Sequence, residues 1–501
     1  MQERTFKARI AAILLLALFV RLLGILSRPI WYDEAFSILF SEKGFSAMLY
    51  GTLAPTGAGS ADIHPLGYYT LLWLWIKAFG DSLLATRLLS IIAGLASVCL
   101  VYLIAWEALS DARAALYSML FAALAPFQVH YAQEIRMYSF LAMWLLLSTY
   151  AYQRGSKTKD WRWWGLFSVS AALAQYTHNL AAFYLVGLAI WPVLKKDWST
   201  IRALTLAGIG SLILYLPWAL QLPAQFAKIQ SAYWVTRPDL SDVFTLFLVY
   251  VTNTPVPAPW IAGALVLTLS VMMIGLLQTL RQIGQTRTYD GLWLFYLSFA
   301  PAVFLFVVSQ WRPVYIERAL LPCGAIFCIW LAWVVTRTNL STALRYSLFG
   351  FLGIACALGM FQHIRYQGFP YGPFEELDES LRQRLEPQDV IVHSNKLSLL
   401  PAMLFDRDLP QAFIGDPPGG PTDTLAPATQ EVLRIRAQKN IQSATKNAER
   451  VWYIIYERSI EEYRAGGYET HPDVEYLGSQ YSLESQEQWD GLQVFLYTKE
   501  R

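Results

Sequence analysis

The chain has 501 residues, of which 55% are hydrophobic, 15% aromatic and 15% charged, whereas soluble domains carry about 25% charged residues. The formal net charge of +2 divides unevenly, because residues 1–362 hold 25 Lys/Arg and 15 Asp/Glu while residues 363–501 hold 14 and 22. These values exclude a fibrous protein, a disordered chain and a nucleic-acid binder, and they predict an apolar, basic membrane region followed by a small acidic domain.

Residues 1–362 contain eleven apolar runs that we predict to be transmembrane helices. A helix needs roughly 18 or more mostly apolar residues to cross about 30 Å of hydrocarbon. The amino-terminal run lacks a small-x-small cleavage site, so we interpret it as an uncleaved first helix. The predicted spans are 8–27, 83–106, 113–127, 137–153, 163–177, 180–194, 203–220, 259–280, 290–309, 319–336 and 346–362.

Charge assigns the two sides of the membrane. If the apolar stretch 66–80 lies along the interface instead of crossing, every second connection is basic, and these short connections hold 15 of the 25 Lys and Arg. By the positive-inside rule they face the cytoplasm. The amino terminus is then cytoplasmic, whereas the first outer loop 28–82, the outer loop 221–258 and the carboxyl-terminal region face outward.

Residues 363–501 have the pattern of an extracytoplasmic α/β domain. The runs 389–393, 451–456 and 492–497 are predicted as buried strands, and 428–449 is amphipathic at helical spacing. The domain is predicted to be a carbohydrate-binding platform, an acceptor-docking domain or a structural lid. Its acidic balance argues against docking anionic headgroups.

Polar side chains gather at the outward ends of the predicted spans. Ionisable groups at membrane depth are costly and are functional candidates where they face a cavity. Because all of these clusters fall on one side, they predict a single extracytoplasmic site. The clusters are Trp31 to Glu34, Asp62 to Pro65, His130 to Arg136, Tyr176 to Asn179, and Glu317 with Arg318.

The acidic pair Asp33 and Glu34 suits general-base chemistry. A carboxylate just outside the first helix can take the proton of an acceptor hydroxyl. Adjacent helical residues point about 100° apart, so only one of the two is expected to face the reacting atom. The alternative is a solvated helix start, where acidic residues interact favourably with the positive end of the dipole.

Arg136 and Arg318 suit binding of phosphate oxygens, because guanidinium groups bind them with two parallel hydrogen bonds. Glu134 and Glu317 lie next to them in the sequence and are candidates to orient them. The alternatives are cations that snorkel to lipid headgroups, or structural ion pairs.

His64 and His178 are either part of the site or hydrogen-bonded interface histidines. No pair of histidines has the spacing His-x-x-x-His, so we predict no cofactor and leave dependence on a divalent metal open.

These residues stand in an order that resembles a known family. WYDEAFS follows the first span, His-Pro-Leu-x-Tyr-Tyr lies in the first outer loop, and QEIRMY comes after two more spans. YTHNLAAF at 176–183 and ERALLPCGA at 317–325 extend the pattern. Together they resemble C-type membrane glycosyltransferases of the family 39-like protein O-mannosyltransferase and aminoarabinose transferase superfamily, over about residues 8–340.

The resemblance implies a polytopic helical fold and an inverting transfer of sugar from a polyprenyl phosphate to an acceptor at the outer face. Asp33 would be the catalytic carboxylate that deprotonates the acceptor, with Glu34 beside it, and Arg136 and Arg318 would hold the lipid phosphate. Stretch 66–80 would be a juxtamembrane helix, and loop 221–258 would cover the donor. Further substrate-binding candidates are Asp62, His64, Tyr69, Glu134, Tyr138, His178 and Glu317.

Two departures from the family pattern leave the acceptor open: Leu66 stands where a second proline usually follows His-Pro, and the acidic carboxyl-terminal region has no feature that identifies an acceptor. The partners implied are a polyprenyl-phosphate-linked sugar, membrane lipid and an unknown glycan, lipid or protein acceptor, in a plasma or bacterial inner membrane.

Two other functions fit the same composition. A transporter or flippase of lipid-linked sugars would place charges near the midplane and often has two repeated halves. Here the charge near the middle of the spans is nearly limited to Arg21, and no repeat is detectable. A glycan polymerase or ligase would use a lipid diphosphate donor with most of the same groups.

Overall fold

The structure is a computed structural model that describes residues 2–54, 64–225, 235–286, 290–416 and 425–499. Helices make up the chain as far as residue 365, and a mixed sheet flanked by shorter helices follows. The helices of the first region are Gln2–Leu22, Tyr32–Ser41, Phe45–Leu53, Gly67–Phe79, Leu83–Leu109, Ala112–Leu124, Pro126–Ala132, Tyr138–Thr158, Trp161–Thr177, Ala181–Leu194, Trp198–Ala219, Leu240–Val251, Ala258–Thr286, Asp290–Ser309, the 3-10 turn Glu317–Leu320, Leu321–Arg337 and Thr342–Arg365.

Fewer helices than the eleven predicted spans have the length and apolar composition needed to cross a membrane. Within the described ranges, six helices are long and apolar enough to cross a membrane, or seven if the bent pair Ala112–Leu124 and Pro126–Ala132 is one span. Trp161–Thr177 and Ala181–Leu194 have only 17 and 14 residues, which is short for about 30 Å of hydrocarbon. Gln2–Leu22 carries several charges in its first turns. The chain is therefore multi-pass, and its orientation stays a prediction.

Four shorter helices fall in the predicted outer loops, namely Tyr32–Ser41, Phe45–Leu53, Gly67–Phe79 and Leu240–Val251. Gly67–Phe79 has 13 residues and is about 20 Å long, too short to cross the hydrocarbon core. Its length agrees with the interfacial position predicted for 66–80. In loop 221–258, Leu240–Val251 is a capped helix whose carboxyl-terminal half is buried, while residues 226–234 lie outside the described ranges.

Arg21, the charge within the first helix, is bound by backbone carbonyls. Its guanidinium donates to the carbonyls of Ala123 at 3.0 Å, Ala17 at 3.2 Å and Ala122 at 3.4 Å. The first and third of these belong to a helix that breaks before Pro126, which has no N–H to donate back to Ala122. Arg21 therefore satisfies carbonyls that the break leaves open.

The carboxyl-terminal region forms a six-stranded sheet. The strands are β1 Val390–His393, β2 Gln411–Ile414, β3 Ala437–Gln438, β4 Arg450–Tyr456, β5 Ser482–Trp489 and β6 Leu492–Thr498. Their order in the sheet is β3-β2-β1-β4-β6-β5. Strand β1 pairs in parallel with β2 and β4, β2 pairs in parallel with β3, and β6 pairs antiparallel with β4 and β5. The helices are Phe374–Arg384, Lys396–Phe405, Pro427–Leu433, Ile441–Ala444, Glu457–Ala465 and Pro472–Gln480.

Successive side chains of β4 are buried on opposite faces of the sheet, which explains why its sequence is a continuous apolar run. Trp452, Ile454 and Tyr456 pack with the helix Phe374–Arg384 on one face, whereas Val451 and Tyr453 belong to the cluster on the other face. A strand buried on both faces has no polar alternation. The predicted strands and the α/β class are confirmed, and the division into domains at residue 362 stays a prediction.

The predicted amphipathic helix over 428–449 is wrong. The helix Pro427–Leu433 ends at Arg434, which adopts a left-handed φ of 59°. Residues Ala437–Gln438 then pair with Phe413 and Ile414 as an edge strand. Tertiary pairing with β2 overrides the helical periodicity here.

The carboxyl-terminal region docks on the first outer loop. Helix Lys396–Phe405 packs against Tyr32–Ser41, and Pro427–Leu433 packs against Phe45–Leu53. The Arg407 guanidinium binds both carboxylate oxygens of Glu42, at 3.1 and 2.7 Å. This contact ties the sheet to the helix that follows the first span.

Asp378 makes the stability of this region depend on pH. Its side chain is 2% exposed, and neither carboxylate oxygen has a hydrogen-bond partner among the described residues. Burial, with the charge of Asp406 nearby, raises the pKa of Asp378 to about 8. The folded state thus holds this proton more tightly than the unfolded state, so the free energy of unfolding falls as pH rises from about 4 to about 8.

We therefore expect Asp378→Asn to raise the melting temperature at pH 8.5 by several degrees and to change it little at pH 5. Differential scanning fluorimetry of the full chain at both pH values measures this. Glu379→Gln, which changes an exposed carboxylate on the same helix, is the matched control. Equal changes in melting temperature at pH 5 and pH 8.5 would show that ionisation of Asp378 does not destabilise the folded chain.

Candidate functional site

Asp33 lies in the first turn of helix Tyr32–Ser41, which is the next helix after Gln2–Leu22. Its Oδ2 is 3.5 Å from Nε of Arg136 and 3.3 Å from Nη1 of Arg318. The Asp33 side chain retains 16% exposure. Three residues from distant parts of the sequence therefore meet as one carboxylate between two guanidinium groups.

Arg136 is held in place by groups of the first outer loop. It lies in the short link between Pro126–Ala132 and Tyr138–Thr158. Its Nη1 donates to the hydroxyl oxygens of Ser37 and Tyr69, each at 3.2 Å. Tyr69, one of the predicted substrate-binding residues, is fully buried and in this structure positions Arg136.

Arg318 lies on the other side of Asp33, in the 3-10 turn Glu317–Leu320. Its guanidinium carbon is 5.3 Å from the ring centre of Tyr138 and 5.6 Å from that of Trp31. A guanidinium group over the face of an aromatic ring at this distance is stabilised by the negative charge of the ring face. The Arg318 side chain is 17% exposed, so part of it remains accessible.

Glu34 follows Asp33 in the same helical turn but points in a different direction, away from the two arginines that contact Asp33. It is 0% exposed, and its Oε2 is 3.4 Å from Nη2 of Arg87, which is also fully buried. Oε1 accepts a hydrogen bond from the backbone N–H of Ile135 at 3.1 Å. Burial raises the pKa of Glu34, although Arg87 acts in the opposite direction. The expectation that only one member of the acidic pair faces the site agrees with this geometry.

This buried pair predicts a stability effect. We expect Glu34→Met or Arg87→Met alone to lower the free energy of unfolding by about 3–5 kcal/mol, because each leaves an uncompensated buried charge. The double variant should be more stable than either single variant. Thermal unfolding in detergent measures this, and Arg337→Met, in the exposed pair with Asp111, should cost less than about 1 kcal/mol. Single variants as stable as the wild type would contradict the pairing.

Glu134 contacts a different arginine from the one predicted. Its Oε1 is 3.4 Å from Nη2 of Arg28 and 3.2 Å from Nε2 of His130. The hydroxyl of Tyr371 also contacts Arg28, so this cluster joins the link after the first helix to the start of the carboxyl-terminal region. The expectation that Glu134 orients Arg136 is therefore not met.

The remaining predicted residues are the two histidines with Tyr138, then Glu317, and then Asp62. The rings of His64 and His178 lie 5.0 Å apart, and the ring of Tyr138 is 5.9 Å from His178; through Tyr138 these rings connect to Arg318. Glu317 forms no ion pair with Arg318 or with any other cation among the described residues. The side chain of Arg318 is directed towards Asp33 instead. Asp62 lies outside the described residues.

The part of the chain that the structure describes contains no group of three or more His, Cys, Asp or Glu side chains placed to hold a metal ion. The prediction that no cofactor is required stays a prediction.

Sequence reasoning missed Arg28, Arg87 and Lys396. The signal for Arg87 was present, since an arginine inside an apolar run is costly without a partner. Lys396 carried no signal, because its position depends on how the sheet docks. Its Nζ is 5.6 Å from the ring centre of Tyr32, the residue before Asp33.

Comparison with known families gives a match to the model described as dolichyl-phosphate-mannose-protein mannosyltransferase, over residues 63–220. A curated relative, the undecaprenyl phosphate-alpha-4-amino-4-deoxy-L-arabinose arabinosyl transferase of Pseudomonas aeruginosa (strain UCBPP-PA14), is 29% identical over 180 residues. That alignment covers 34% of this chain and 32% of the relative. The match thus spans about a third of the length of the curated relative.

Solved structures share the fold over nearly the whole chain. The crystal structure of ArnT from Cupriavidus metallidurans in the apo state superposes with a TM-score of 0.64 at 14% identity, covering 98% of both chains. The same protein bound to undecaprenyl phosphate gives 0.63 at 12% identity and 97% of both chains. The Archaeoglobus fulgidus oligosaccharyltransferase in the apo form gives 0.56 at 13% identity, covering 99% of this chain and 74% of that one.

Proposed function

We propose that the chain is a member of the family 39-like group of C-type membrane glycosyltransferases, a proposal supported by the family match over residues 63–220, by the curated relative and by the shared fold. The proposed activity is transfer of a sugar from a polyprenyl phosphate to an acceptor. The curated relative is named for an undecaprenyl-phosphate-linked sugar, and one solved structure of the same fold contains undecaprenyl phosphate. These names support the donor class, while the sugar and the acceptor are left open.

One observation carries the proposal, the position of Asp33 between Arg136 and Arg318 at 3.5 and 3.3 Å. A transfer of this kind needs a base for the nucleophile and positive charge where the leaving phosphate becomes more negative. Asp33 can supply the base, and Arg136 and Arg318 can supply the positive charge, within one ion-paired cluster. Without donor, the carboxylate is the counter-ion of the arginines, and a lipid phosphate would replace it in that role.

The reaction is proposed as a direct displacement. The acceptor oxygen attacks the anomeric carbon while its proton passes to Asp33. The bond from the anomeric carbon to the phosphate oxygen breaks, and its electron pair leaves with the phosphate that Arg136 and Arg318 hold. A single displacement inverts the configuration at the anomeric carbon.

Asp33 is the proposed base in preference to Glu34 because of accessibility. Asp33 is 16% exposed, whereas Glu34 is 0% exposed and bound to Arg87. A base must approach within hydrogen-bond reach of the proton it removes. The proposed role of Glu34 is to position Arg87 and the link that carries Arg136, through its hydrogen bond to Ile135.

We place the site at the extracytoplasmic face of a bacterial inner membrane. Support comes from the basic connections on the opposite side. The transporter alternative receives no support from Arg21, since its guanidinium is bound to backbone carbonyls of a neighbouring helix. We therefore retain the transferase.

The test is a transfer assay with the purified full chain in lipid nanodiscs. Undecaprenyl phosphate carrying labelled 4-amino-4-deoxy-L-arabinose or mannose is offered together with an extract of the host's own glycans and lipids. Release of undecaprenyl phosphate, with label in a new product of inverted configuration, is expected for one of the sugars. Turnover of undecaprenyl diphosphate donors alone would instead favour a polymerase or ligase.

A further inference from the structure

A short connection, residues 366–373, leads from helix Thr342–Arg365 to the helix that packs on the sheet, and it passes beside the candidate site. Within it, Tyr371 is 7% exposed and forms an antiparallel bridge with the backbone of Trp31. The two ring centres lie 6.1 Å apart. A residue of the carboxyl-terminal region therefore packs on a residue that stands only two positions before Asp33.

The hydroxyl of Tyr371 belongs to the buried cluster around Glu134. It donates to Oε1 of Glu134 at 3.4 Å and accepts a hydrogen bond from Nη2 of Arg28. Glu134 is 2% exposed and stands two positions before Arg136, in the link between helices Pro126–Ala132 and Tyr138–Thr158. The hydroxyl therefore helps to fix the link that carries Arg136.

Through these two neighbours Tyr371 is connected to each charged group of the site. Trp31 leads to Asp33 along the chain, and its ring centre is 5.6 Å from the guanidinium carbon of Arg318. Glu134 leads to the backbone next to Arg136. Reacting groups must be held within about 0.5 Å of the productive geometry, and small displacements can cost large factors in rate. A contact that holds both connections therefore bears on the reaction.

The sheet in turn determines where Tyr371 lies. The hydroxyl of Tyr456, at the end of β4, donates to the carbonyl of Pro370 at 2.9 Å. On the other side of Tyr371, a Cβ added to Gly372 would lie 2.9 Å from Cδ1 of Leu492 in β6. Both chain neighbours of Tyr371 thus lie against the sheet, so the position of the sheet fixes that of Tyr371.

We propose that Tyr371 is a positioning residue of the transfer reaction, through which the carboxyl-terminal region holds Asp33 and the two arginines in their working arrangement. The inference rests on the proposed function and gives the carboxyl-terminal region a part in it. Tyr371 acts through Trp31 and Glu134 and has no contact with donor or acceptor in this role. Its hydroxyl is shared between a guanidinium and a carboxylate, and hydrogen bonds to charged groups are stronger than neutral ones.

The alternative is that the Tyr371 hydroxyl only attaches the sheet to the membrane helices. A docking contact of that kind exists elsewhere in the same interface, where the hydroxyl of Thr429 donates to the carbonyl of Gly51 at 3.1 Å. Gly51 belongs to helix Phe45–Leu53, which carries none of the predicted site residues. Thr429→Val therefore removes a buried docking bond without touching either connection to Asp33, and it is the matched control.

The test compares Tyr371→Phe with the wild type in the nanodisc transfer assay. Phenylalanine keeps the ring beside Trp31 and removes only the hydroxyl. We expect the turnover number to fall about tenfold, as for the loss of a hydrogen bond to charged groups. The donor KM should stay within about threefold, because the arginines that hold the phosphate are unchanged. Thr429→Val should keep its turnover number within about twofold of the wild type, even if its melting temperature falls as much.

A double-mutant cycle with Glu134→Gln tests the connection itself. If the hydroxyl acts through Glu134, the double variant should be about as slow as the slower single variant, because residues in one hydrogen-bonded network are not additive. Tyr456→Phe, which leaves the carbonyl of Pro370 without its donor, is a second variant in case Tyr371→Phe does not fold. It should lower the turnover number by about threefold, the effect of one neutral hydrogen bond.

Three results would each overturn the proposal: a turnover number for folded Tyr371→Phe within about twofold of the wild type, losses that multiply in the double variant, or an equal loss in Thr429→Val. If Tyr371→Phe unfolds, a wild-type turnover number in Tyr456→Phe would overturn it. Failure of the proposed function is distinct, because the wild type would then release no undecaprenyl phosphate.

Discussion

Asp33→Asn should lower the turnover number for sugar transfer by about 10²–10⁴-fold, the range for loss of a general base. The amide cannot take the acceptor proton. Undecaprenyl phosphate should bind at least as well, because the substitution removes the carboxylate that contacts Arg136 and Arg318 at 3.5 and 3.3 Å. Steady-state transfer rates and direct binding of undecaprenyl phosphate measure the two effects separately.

The control for this variant is Asp81→Asn, which changes an exposed carboxylate of the first outer loop and should leave transfer unaffected. Asp33→Glu should retain part of the activity, since the base is kept but displaced by one methylene group. A turnover number for Asp33→Asn above about a tenth of the wild-type value would remove Asp33 from the role of base.

Arg318→Ala should raise the dissociation constant for undecaprenyl phosphate by about 10–100-fold, which corresponds to about 1.4–2.8 kcal/mol. Arg136→Ala should weaken binding similarly and should also reduce stability, because Arg136 bonds to Ser37 and Tyr69. Arg318→Lys should fall between wild type and alanine, as lysine keeps the charge but not the planar fork. Binding is measured in nanodiscs at two salt concentrations.

Arg312→Ala is the matched control, because Arg312 is an exposed arginine in the same connection as Arg318. It should leave the dissociation constant within about twofold of the wild type and should not alter the salt dependence. Unchanged phosphate binding in both Arg136→Ala and Arg318→Ala would contradict their proposed role and leave the cluster as a structural ion pair around Asp33.

Much of the secondary structure follows from apolar periodicity. Each of the eleven predicted spans overlaps helical structure, although 113–127 runs across the break between Ala112–Leu124 and Pro126–Ala132, and the strands of Arg450–Tyr456 and Leu492–Thr498 were visible as apolar runs. The number of membrane-crossing helices was not predictable in the same way. Composition marks an apolar helix such as Ala181–Leu194, but whether 14 residues suffice to cross depends on its neighbours.

The site residues were predictable as chemical types and less so as partners. Asp33, Arg136 and Arg318 come together as a resemblance to known transferases implied. Glu134 and Glu317, assigned to the arginines by proximity in the sequence, have other surroundings, with Glu134 bound to Arg28 and His130. Residues adjacent in sequence point in different directions at helix ends, so sequence distance is a poor guide to ion pairing.

The sequence by itself determined the membrane class, the α/β region and the polar clusters, since hydrophobic periodicity and the cost of buried charge act locally along the chain. Only the tertiary structure decided that Asp33 faces two arginines while Glu34 is buried against Arg87. It also decided that Lys396 reaches Tyr32 from the sheet. These contacts join segments hundreds of residues apart, and they arise from the packing of helices and the docking of the sheet, which no local pattern encodes.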